Sequence, residues 1–321
     1  MNRGITRRTF VRSALGAPLF AALARHLGPS GTLIADGNSR SAMPTRPLGK
    51  TGHPVCLFSL GGQATLEDGN KHNESIEILN KALDLGVNYI DTAPLYGDGV
   101  SERVVGEVMK VRRKEVFLAT KTHDRSYDGS MRLLETSLRR LQTDYLDLWQ
   151  LHNIQTDNDV NFILSREGAV RALEKAREQG IVRFVGITGH KDPLVVRRAI
   201  EEYPFDTVLM ALNAADRHSA SFIDKVLPVA VSKKMGILGM KIPSRGKIFR
   251  QTGLTRMEQA MRYVLTLPVS SVVIGISAIR ELEENVRIAC EFKPYSKAEM
   301  AGLEQLTRPY FADALWYREH M

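Results

Sequence analysis

The sequence predicts an α/β protein whose eight parallel strands close into a barrel. Eight short β-branched runs alternate along the chain with eight longer segments whose apolar residues recur at helical spacing. The predicted strands cover residues 55–60, 87–91, 116–121, 145–152, 183–188, 207–212, 236–241 and 271–275. The predicted helices cover residues 74–85, 101–110, 130–141, 168–178, 194–202, 221–233, 256–267 and 280–288. Because a helix follows every strand, parallel pairing around a closed barrel accommodates all eight units.

An open, doubly wound sheet is the competing architecture for this alternation. That fold usually carries a glycine fingerprint, G-x-G-x-x-G, directly after its first strand. Here the first strand leads into residues 61–65, GGQAT, which lack that spacing. The barrel is therefore favoured. A chain of 321 residues with 43% hydrophobic content is long enough to form it as one large domain.

The net charge of +8 is concentrated at the N-terminus. Residues 1–42 hold six arginines and one aspartate, a net of +5. The other 279 residues carry 38 basic and 35 acidic side chains, a net of +3, with no long basic run. Nucleic-acid binding is therefore not expected, because a phosphate backbone needs a concentrated basic surface. Two isolated cysteines, Cys56 and Cys290, give neither a disulfide framework nor a metal motif.

The basic N-terminus has the pattern of a targeting segment. Residues 6–12, TRRTFVR, precede a mildly apolar stretch over residues 14–24, which resembles a bacterial twin-arginine export signal. The resemblance implies export by the Tat machinery, so that the protein is periplasmic or secreted. The stretch is shorter than the ~20 residues that a membrane helix needs. We expect residues 1–42 to be signal and linker, cleaved after Ala24 or nearer Ala35, and residues 43–321 to be the barrel domain. A frayed basic terminus is the alternative.

Four polar residues lie at or just past the C-terminal ends of three consecutive predicted strands: Asp91, Tyr96, Lys121 and His152. In a parallel barrel these ends converge over one mouth of the core, so the four side chains can meet there. A tyrosine can protonate a carbonyl oxygen, although its ordinary pKa of about 10 makes it a reluctant acid. A neighbouring ammonium lowers that pKa by stabilising phenolate, and a buried carboxylate keeps the ammonium charged.

These residues resemble the catalytic tetrad of the aldo-keto reductases. The segment 91–97 reads DTAPLYG, an Asp-Thr-Ala-x-x-Tyr-Gly pattern, and the segment 46–52 resembles the hairpin that closes the bottom of the barrel in that family. The resemblance covers about residues 44–290. It implies a (β/α)8 TIM barrel with an N-terminal β-hairpin that reduces an aldehyde or ketone with NAD(P)H. Tyr96 would be the acid, Lys121 its modulator, Asp91 the partner of the lysine, and His152 the donor that orients the substrate oxygen.

The resemblance also assigns binding residues. Cofactor contacts are expected from Thr188, Met240, Lys241, Gly275, Ser277, Arg280, Glu284 and Asn285, and a substrate contact from Asn213. Some positions depart from the family pattern. Thr188 and Gly189 replace a Ser-Asn pair that holds the nicotinamide carboxamide, and Leu209 replaces a glutamine. Met240 or Lys241 stands in for a tyrosine that stacks on the nicotinamide ring.

The last strand leads into a helix start that resembles the adenosine-phosphate segment of the family. Backbone donors there would hold phosphate. Arg280 could pair with a 2′-phosphate, while Glu284 and Asn285 could hold the adenine. These residues favour NADP, and NAD stays open. By the same resemblance, Asn213 and Arg217 are expected around the pocket.

Two other functions remain open at this point. The first is a binding or sensor protein that holds the cofactor with little or no turnover, which the altered carboxamide contacts favour. The second is a sugar-binding barrel without cofactor. Four aromatic residues near the C-terminus are candidate pocket walls, or else a docking surface: Tyr310, Phe311, Trp316 and Tyr317.

Overall fold

The computed structural model describes residues 43–321, and the predicted export signal and linker lie outside this range. Ten strands occur among the described residues. They are β1 Thr45–Pro47, β2 Pro54–Cys56, β3 Phe58–Ala64, β4 Tyr89–Asp91, β5 Phe117–Thr122, β6 Leu146–Leu151, β7 Val182–Gly189, β8 Thr207–Ala211, β9 Gly236–Met240 and β10 Ser271–Ile276. Strands β3 to β10 pair in parallel and in chain order, and β10 closes the barrel on β3. The predicted barrel is confirmed.

Thirteen α-helices occur over the same residues. They are α1 His72–Asp84, α2 Val100–Arg112, α3 Tyr127–Leu141, α4 Asp157–Ile163, α5 Ala169–Glu178, α6 Pro193–Glu202, α7 Phe222–Lys225, α8 Leu227–Ser232, α9 Met257–Thr266, α10 Ile279–Cys290, α11 Lys297–Thr307, α12 Phe311–Ala314 and α13 Tyr317–His320. Several of them begin at a capping side chain. Ser126, for example, accepts a hydrogen bond from the Gly129 N–H at 3.1 Å and so caps α3.

The N-terminal hairpin closes the bottom of the barrel, as the resemblance implied. Strands β1 and β2 pair antiparallel, and Leu48 between them is fully buried in a cluster with barrel-lining residues such as Tyr89 and Phe117. The rings of Tyr89 and Phe117 stack at 5.5 Å. Because side chains fill the interior, the barrel is a packed core and leaves no channel through its centre.

Two predicted elements differ from the structure. The predicted strand 55–60 is two strands, since β2 ends at Cys56 and β3 begins at Phe58, where the chain leaves the hairpin and enters the barrel. The predicted helix 221–233 is divided at Val226 into α7 and α8. Pro228 lies in the first turn of α8, where its missing N–H and its ring prevent continuation of α7.

Helix α4 and the helices after residue 296 were not predicted. Thr156 and Asp159 form a capping box at the start of α4, and Ser296 and Glu299 form another at α11. Both boxes are legible in the sequence as S/T-x-x-D/E. No helix among residues 43–321 is long and apolar enough to cross a membrane.

Candidate active site

The four polar residues predicted to act together lie at the open end of the barrel. Asp91 ends β4, Lys121 lies one residue before the end of β5, and His152 follows β6 directly. Tyr96 lies in the turn between β4 and α2. The parallel register of these neighbouring strands brings their C-terminal ends side by side. The structure therefore assembles all four side chains in one place.

Lys121 and Asp91 form a buried ion pair at the base of this site. Their side chains are 1% and 3% exposed, and Lys121 Nζ donates to Asp91 Oδ1. The ammonium also donates to the Thr92 carbonyl oxygen at 2.9 Å. Asp91 Oδ2 accepts hydrogen bonds from Gln150 Nε2 at 2.8 Å and from the Tyr89 hydroxyl at 3.4 Å. Because every carboxylate oxygen is bonded, the position and charge of the lysine are fixed.

Tyr96 lies against this ammonium. Lys121 Nζ donates to the Tyr96 hydroxyl oxygen at 3.3 Å and lies 4.8 Å from the ring centroid. Burial raises the pKa of Tyr96, and the Lys121 charge opposes the rise without cancelling it. Burial also works against the charge of Lys121, but Asp91 and Tyr96 outweigh it and raise the lysine pKa. At neutral pH the site thus holds the protonated Tyr96 phenol beside the Lys121 ammonium. The ammonium stabilises the phenolate once the phenol has given up its proton.

The His152 ring lies edge-on to Tyr96, with 5.8 Å between the ring centroids and 85° between the planes. Burial, reinforced by the Lys121 charge, holds the pKa of His152 well below its usual range, so the imidazole is neutral. Its Nδ1 is buried and has no hydrogen-bond partner among the described residues. A neutral ring can donate one hydrogen bond to a substrate oxygen without adding a charge.

A cavity of about 1200 Å³ opens over these residues. Its walls include most of the predicted site residues, namely Asp91, Tyr96, Lys121, His152, Thr188, Met240, Lys241, Gly275, Ser277, Glu284 and Asn285. An acid, a fixed cation and a neutral hydrogen-bond donor converge at its floor. This arrangement can protonate an oxygen atom on which negative charge develops.

Residues 57–242 match the sequence model of the Aldo/keto reductase family, which is more than half of the chain. The chain belongs to this family. The uncharacterized oxidoreductase YqkF of Bacillus subtilis is 26% identical over 312 residues, spanning 83% of this chain and 97% of that protein. The aldo-keto reductase yakc [NADP(+)] of Schizosaccharomyces pombe is 29% identical over 181 residues, spanning 52% and 51%.

Among solved structures, the holo form of aldo-keto reductase AKR11C1 from Bacillus halodurans gives a TM-score of 0.71 at 26% identity, covering 82% of this chain and 96% of that one. The matched family residues include the whole tetrad and end after β9, before the segment 275–285. Family membership and these oxidoreductase relatives support carbonyl reduction as the chemistry of this reductase.

Two predicted pocket residues lie elsewhere in the reductase. Asn213 is fully buried and outside the cavity wall; its Nδ2 donates to the Tyr317 hydroxyl at 3.2 Å, and its Oδ1 accepts from the Ala215 N–H at 3.0 Å. It ties the C-terminal tail to the barrel and does not line the cavity in this structure. Arg217 likewise pairs with Asp224 and Glu304, away from the cavity.

Thr188 and Lys241 both line the cavity. The Thr188 hydroxyl accepts from the Asn153 N–H at 2.7 Å, which ties it to the loop that carries His152. The backbone of Lys241 has a φ of 61°, in the left-handed region. Burial, with help from the Arg245 and Lys121 charges, lowers the pKa of Lys241 to about 8. Left-handed backbone at non-glycine residues recurs on the same wall, at Ala64, Asn153, Ser244 and Arg245.

The segment that follows β10 forms one end of the cavity. Asn285 is 1% exposed, and its Nδ2 is buried without a hydrogen-bond partner in the described chain. The N–H of Ser277, one of the predicted cofactor-binding residues, donates at 2.8 Å to Glu281 of α10. Arg280 lies in the first turn of α10, is exposed and does not line the cavity. Its predicted contact with a 2′-phosphate would have to be made from outside the cavity wall.

Two residues of the candidate site, Gln150 and His190, are not among the predicted residues. Gln150, which holds Asp91, lies two residues before His152 on β6 and therefore on the same face, a spacing that could have identified it. His190 lines the cavity, is 6% exposed, and has its pKa lowered by burial to about 3.

Of the four tail aromatics, Trp316 alone lines the cavity. No group of three His, Cys, Asp or Glu side chains within residues 43–321 is placed to hold a metal ion.

Proposed function

We propose that this protein reduces an aldehyde or ketone to an alcohol with NADPH, and that Asp91, Tyr96, Lys121 and His152 carry the chemistry. One observation carries the proposal: Tyr96 lies at the cavity floor, 3.3 Å from a lysine ammonium that a buried carboxylate keeps charged. A carbonyl oxygen that gains negative charge needs a proton donor of this kind.

The cavity residues fit a nicotinamide dinucleotide. Thr188 would hold the carboxamide, Met240 would cover one face of the ring, and the cations Lys241 and Arg245 would face the phosphates. At the other end, the unpartnered Nδ2 of buried Asn285 offers a donor to the adenosine. When bound, the nicotinamide supplies the hydride that the reaction consumes.

The chain's own residues would transfer the proton to the substrate oxygen. Tyr96 gives its hydroxyl proton to the substrate oxygen, and the Lys121 ammonium stabilises the phenolate that remains. Asp91 keeps the ammonium charged and in place. His152, neutral because it is buried, donates a hydrogen bond that orients the substrate oxygen over Tyr96. The pKa of Tyr96 is raised, so the phenol is protonated at neutral pH and ready to act as an acid.

Replacement of Tyr96 by Phe tests the proposal. The change removes the donor and keeps the ring, so carbonyl reduction should fall by about 10²–10⁴-fold while NADPH affinity stays nearly unchanged. Reduction of a carbonyl panel is followed by NADPH absorbance, and affinity by fluorescence titration. Tyr203→Phe is the matched control, because Tyr203 is half-buried and lies outside the cavity wall.

The same experiment separates this function from a cofactor-holding binding or sensor protein. Such a protein would bind NADPH but show no turnover that depends on Tyr96. The bonded geometry of the Asp91–Lys121–Tyr96 group favours the enzyme, since a binding module does not need an acid beside a fixed cation.

We further propose NADPH rather than NADH, and export of the folded protein by the Tat machinery to the periplasm or the medium. The exposed Arg280 supports the first, as does the NADP(+) of the fission yeast relative. The arginine pair Arg7-Arg8 before an apolar stretch supports the second. Because nicotinamide dinucleotides are made in the cytoplasm, the enzyme would load its cofactor before export, and the ligand would stabilise the folded chain during passage.

A further inference from the structure

The loop that carries His152 has a backbone conformation that needs support from outside. Asn153 has a φ of 52°, in the left-handed region, which asparagine adopts more readily than most other non-glycine residues. A left-handed residue persists where surrounding contacts hold the backbone in that conformation. The position of the His152 ring depends on this turn, because the turn begins directly after β6. The contacts that hold the turn are therefore part of the site.

Backbone donors of this loop are bonded to neighbouring strands and to its own helix cap. The His152 N–H donates to the Thr122 carbonyl at 2.8 Å. The Asn153 and Ile154 N–H groups donate to Thr188, at 2.7 Å to its hydroxyl and 2.9 Å to its carbonyl. These bonds use the N–H groups of the loop, so the carbonyl oxygens of His152 and Asn153 need hydrogen-bond donors from another part of the chain.

Arg125 satisfies both carbonyls. Its Nη1 donates to the His152 oxygen at 2.9 Å and its Nη2 to the Asn153 oxygen at 2.9 Å. Its Nε donates at 3.1 Å to Asp159, whose other oxygen accepts the N–H groups of Gln155 and Thr156 at 3.0 Å. The planar guanidinium thus spans two consecutive carbonyls and a carboxylate, which a lysine ammonium cannot match in geometry.

We propose that Arg125 is a positioning residue for His152: it locks the left-handed turn after β6 and so fixes where the imidazole donates its hydrogen bond. Arg125 acts through the loop backbone. The inference rests on the proposed function, since it assigns a purpose to the placement of His152. Loss of the guanidinium leaves two carbonyls without their donors, and the turn relaxes toward an ordinary backbone conformation.

The chain offers a close control at the opposite end of the same strands. Arg113 donates to the carbonyl oxygens of Val116 at 2.7 Å and Tyr145 at 3.1 Å, and to Asp147 at 2.8 Å. Its side chain is 12% exposed, against 21% for Arg125. Both arginines therefore make two carbonyl bonds and one carboxylate bond beside β5 and β6, and Arg113 also donates to the Thr143 hydroxyl at 3.1 Å. Of the two, only Arg125 also lines the cavity.

The test compares Arg125→Lys with Arg113→Lys in the full chain. For Arg125→Lys we expect kcat/KM for the carbonyl to fall by about 10²-fold, since displacement of a reacting group by 1 Å costs about that much. NADPH affinity should be unchanged, and Arg113→Lys should keep wild-type turnover. Hydrogen exchange, read by mass spectrometry, should speed up over residues 152–156 in Arg125→Lys alone. In a His152→Gln background, Arg125→Lys should cost little more, because coupled residues are non-additive.

Three results would overturn the inference. Unchanged exchange at residues 152–156 in Arg125→Lys would show that the guanidinium does not hold the turn. Turnover equal to that of Arg113→Lys would show that the turn does not place His152, and full additivity with His152→Gln would give Arg125 a separate role such as direct substrate binding. A wild-type protein that transfers no hydride to any carbonyl would overturn the proposed function instead, and the inference would then be decided by the exchange data.

Discussion

Replacement of Asp91 by Asn should destabilise the barrel strongly, although the two side chains have nearly the same shape. The change leaves the Lys121 ammonium, 1% exposed, without its counter-charge. Removal of one partner from a buried ion pair typically costs about 3–5 kcal/mol, because the remaining charge stays out of water. The new amide also cannot accept from both Lys121 and Gln150 as the carboxylate does. We therefore expect the free energy of unfolding to fall by about 3–5 kcal/mol.

The decisive measurement is a double-mutant cycle on the unfolding free energy. Lys121→Met should also destabilise the protein, because it leaves the buried Asp91 carboxylate without its counter-charge. The double variant Asp91→Asn with Lys121→Met removes both charges, so it should be more stable than the sum of the single losses predicts, by about 2–3 kcal/mol. Urea unfolding followed by tryptophan fluorescence gives the three values.

An exposed pair provides the control. Arg197 and Glu201 are 2.9 Å apart on α6, and each side chain is 44% exposed. Glu201→Gln should cost no more than about 0.5 kcal/mol, because solvent screens the pair. Losses at Asp91 as small as this control, or fully additive losses in the cycle, would refute the reasoning that burial makes the Asp91–Lys121 pair an interdependent unit.

Three further predictions concern Lys241, Arg280 and the N-terminus. Burial lowers the pKa of Lys241 to about 8, whereas an ordinary lysine has a pKa near 10.4. Between about pH 8 and that value, Lys241 is protonated in the unfolded chain and largely deprotonated in the folded one. The free energy of unfolding should therefore rise with pH in that window. Lys241→Met should flatten the rise in urea titrations, and an unchanged slope would contradict the assignment. Arg280→Met should raise KM for NADPH by about tenfold and leave KM for NADH nearly unchanged, whereas Arg287→Met at the far end of α10 should alter neither. Arg7→Lys with Arg8→Lys should leave a folded precursor with bound nucleotide in the cytoplasm; undiminished export in cell fractions would count against the signal, and a wild-type exported pool free of nucleotide would count against loading before export.

The sequence by itself determined the architecture and the place of the candidate active site. Strand and helix periodicities are local properties, and eight repeats of the pair leave a closed parallel barrel as the favoured arrangement. Asp91, Lys121 and His152 lie at or beside the C-terminal ends of consecutive strands, so the topology alone brings them to one rim. The export signal remains a prediction, since residues 1–42 lie outside the described range.

The tertiary structure decided how each side chain is used. Asn213 bonds to Tyr317, 104 residues away, and so ties down the tail; Gln150 supports Asp91 across 59 residues. The pKa of Tyr96 is raised, whereas its lysine neighbour alone would lower it. Burial causes the rise, and burial depends on every element packed around the site. Periodicity reports which face of a strand or helix a residue occupies. It carries no information on which distant group completes a hydrogen bond or removes water, because the folded chain alone brings those atoms together.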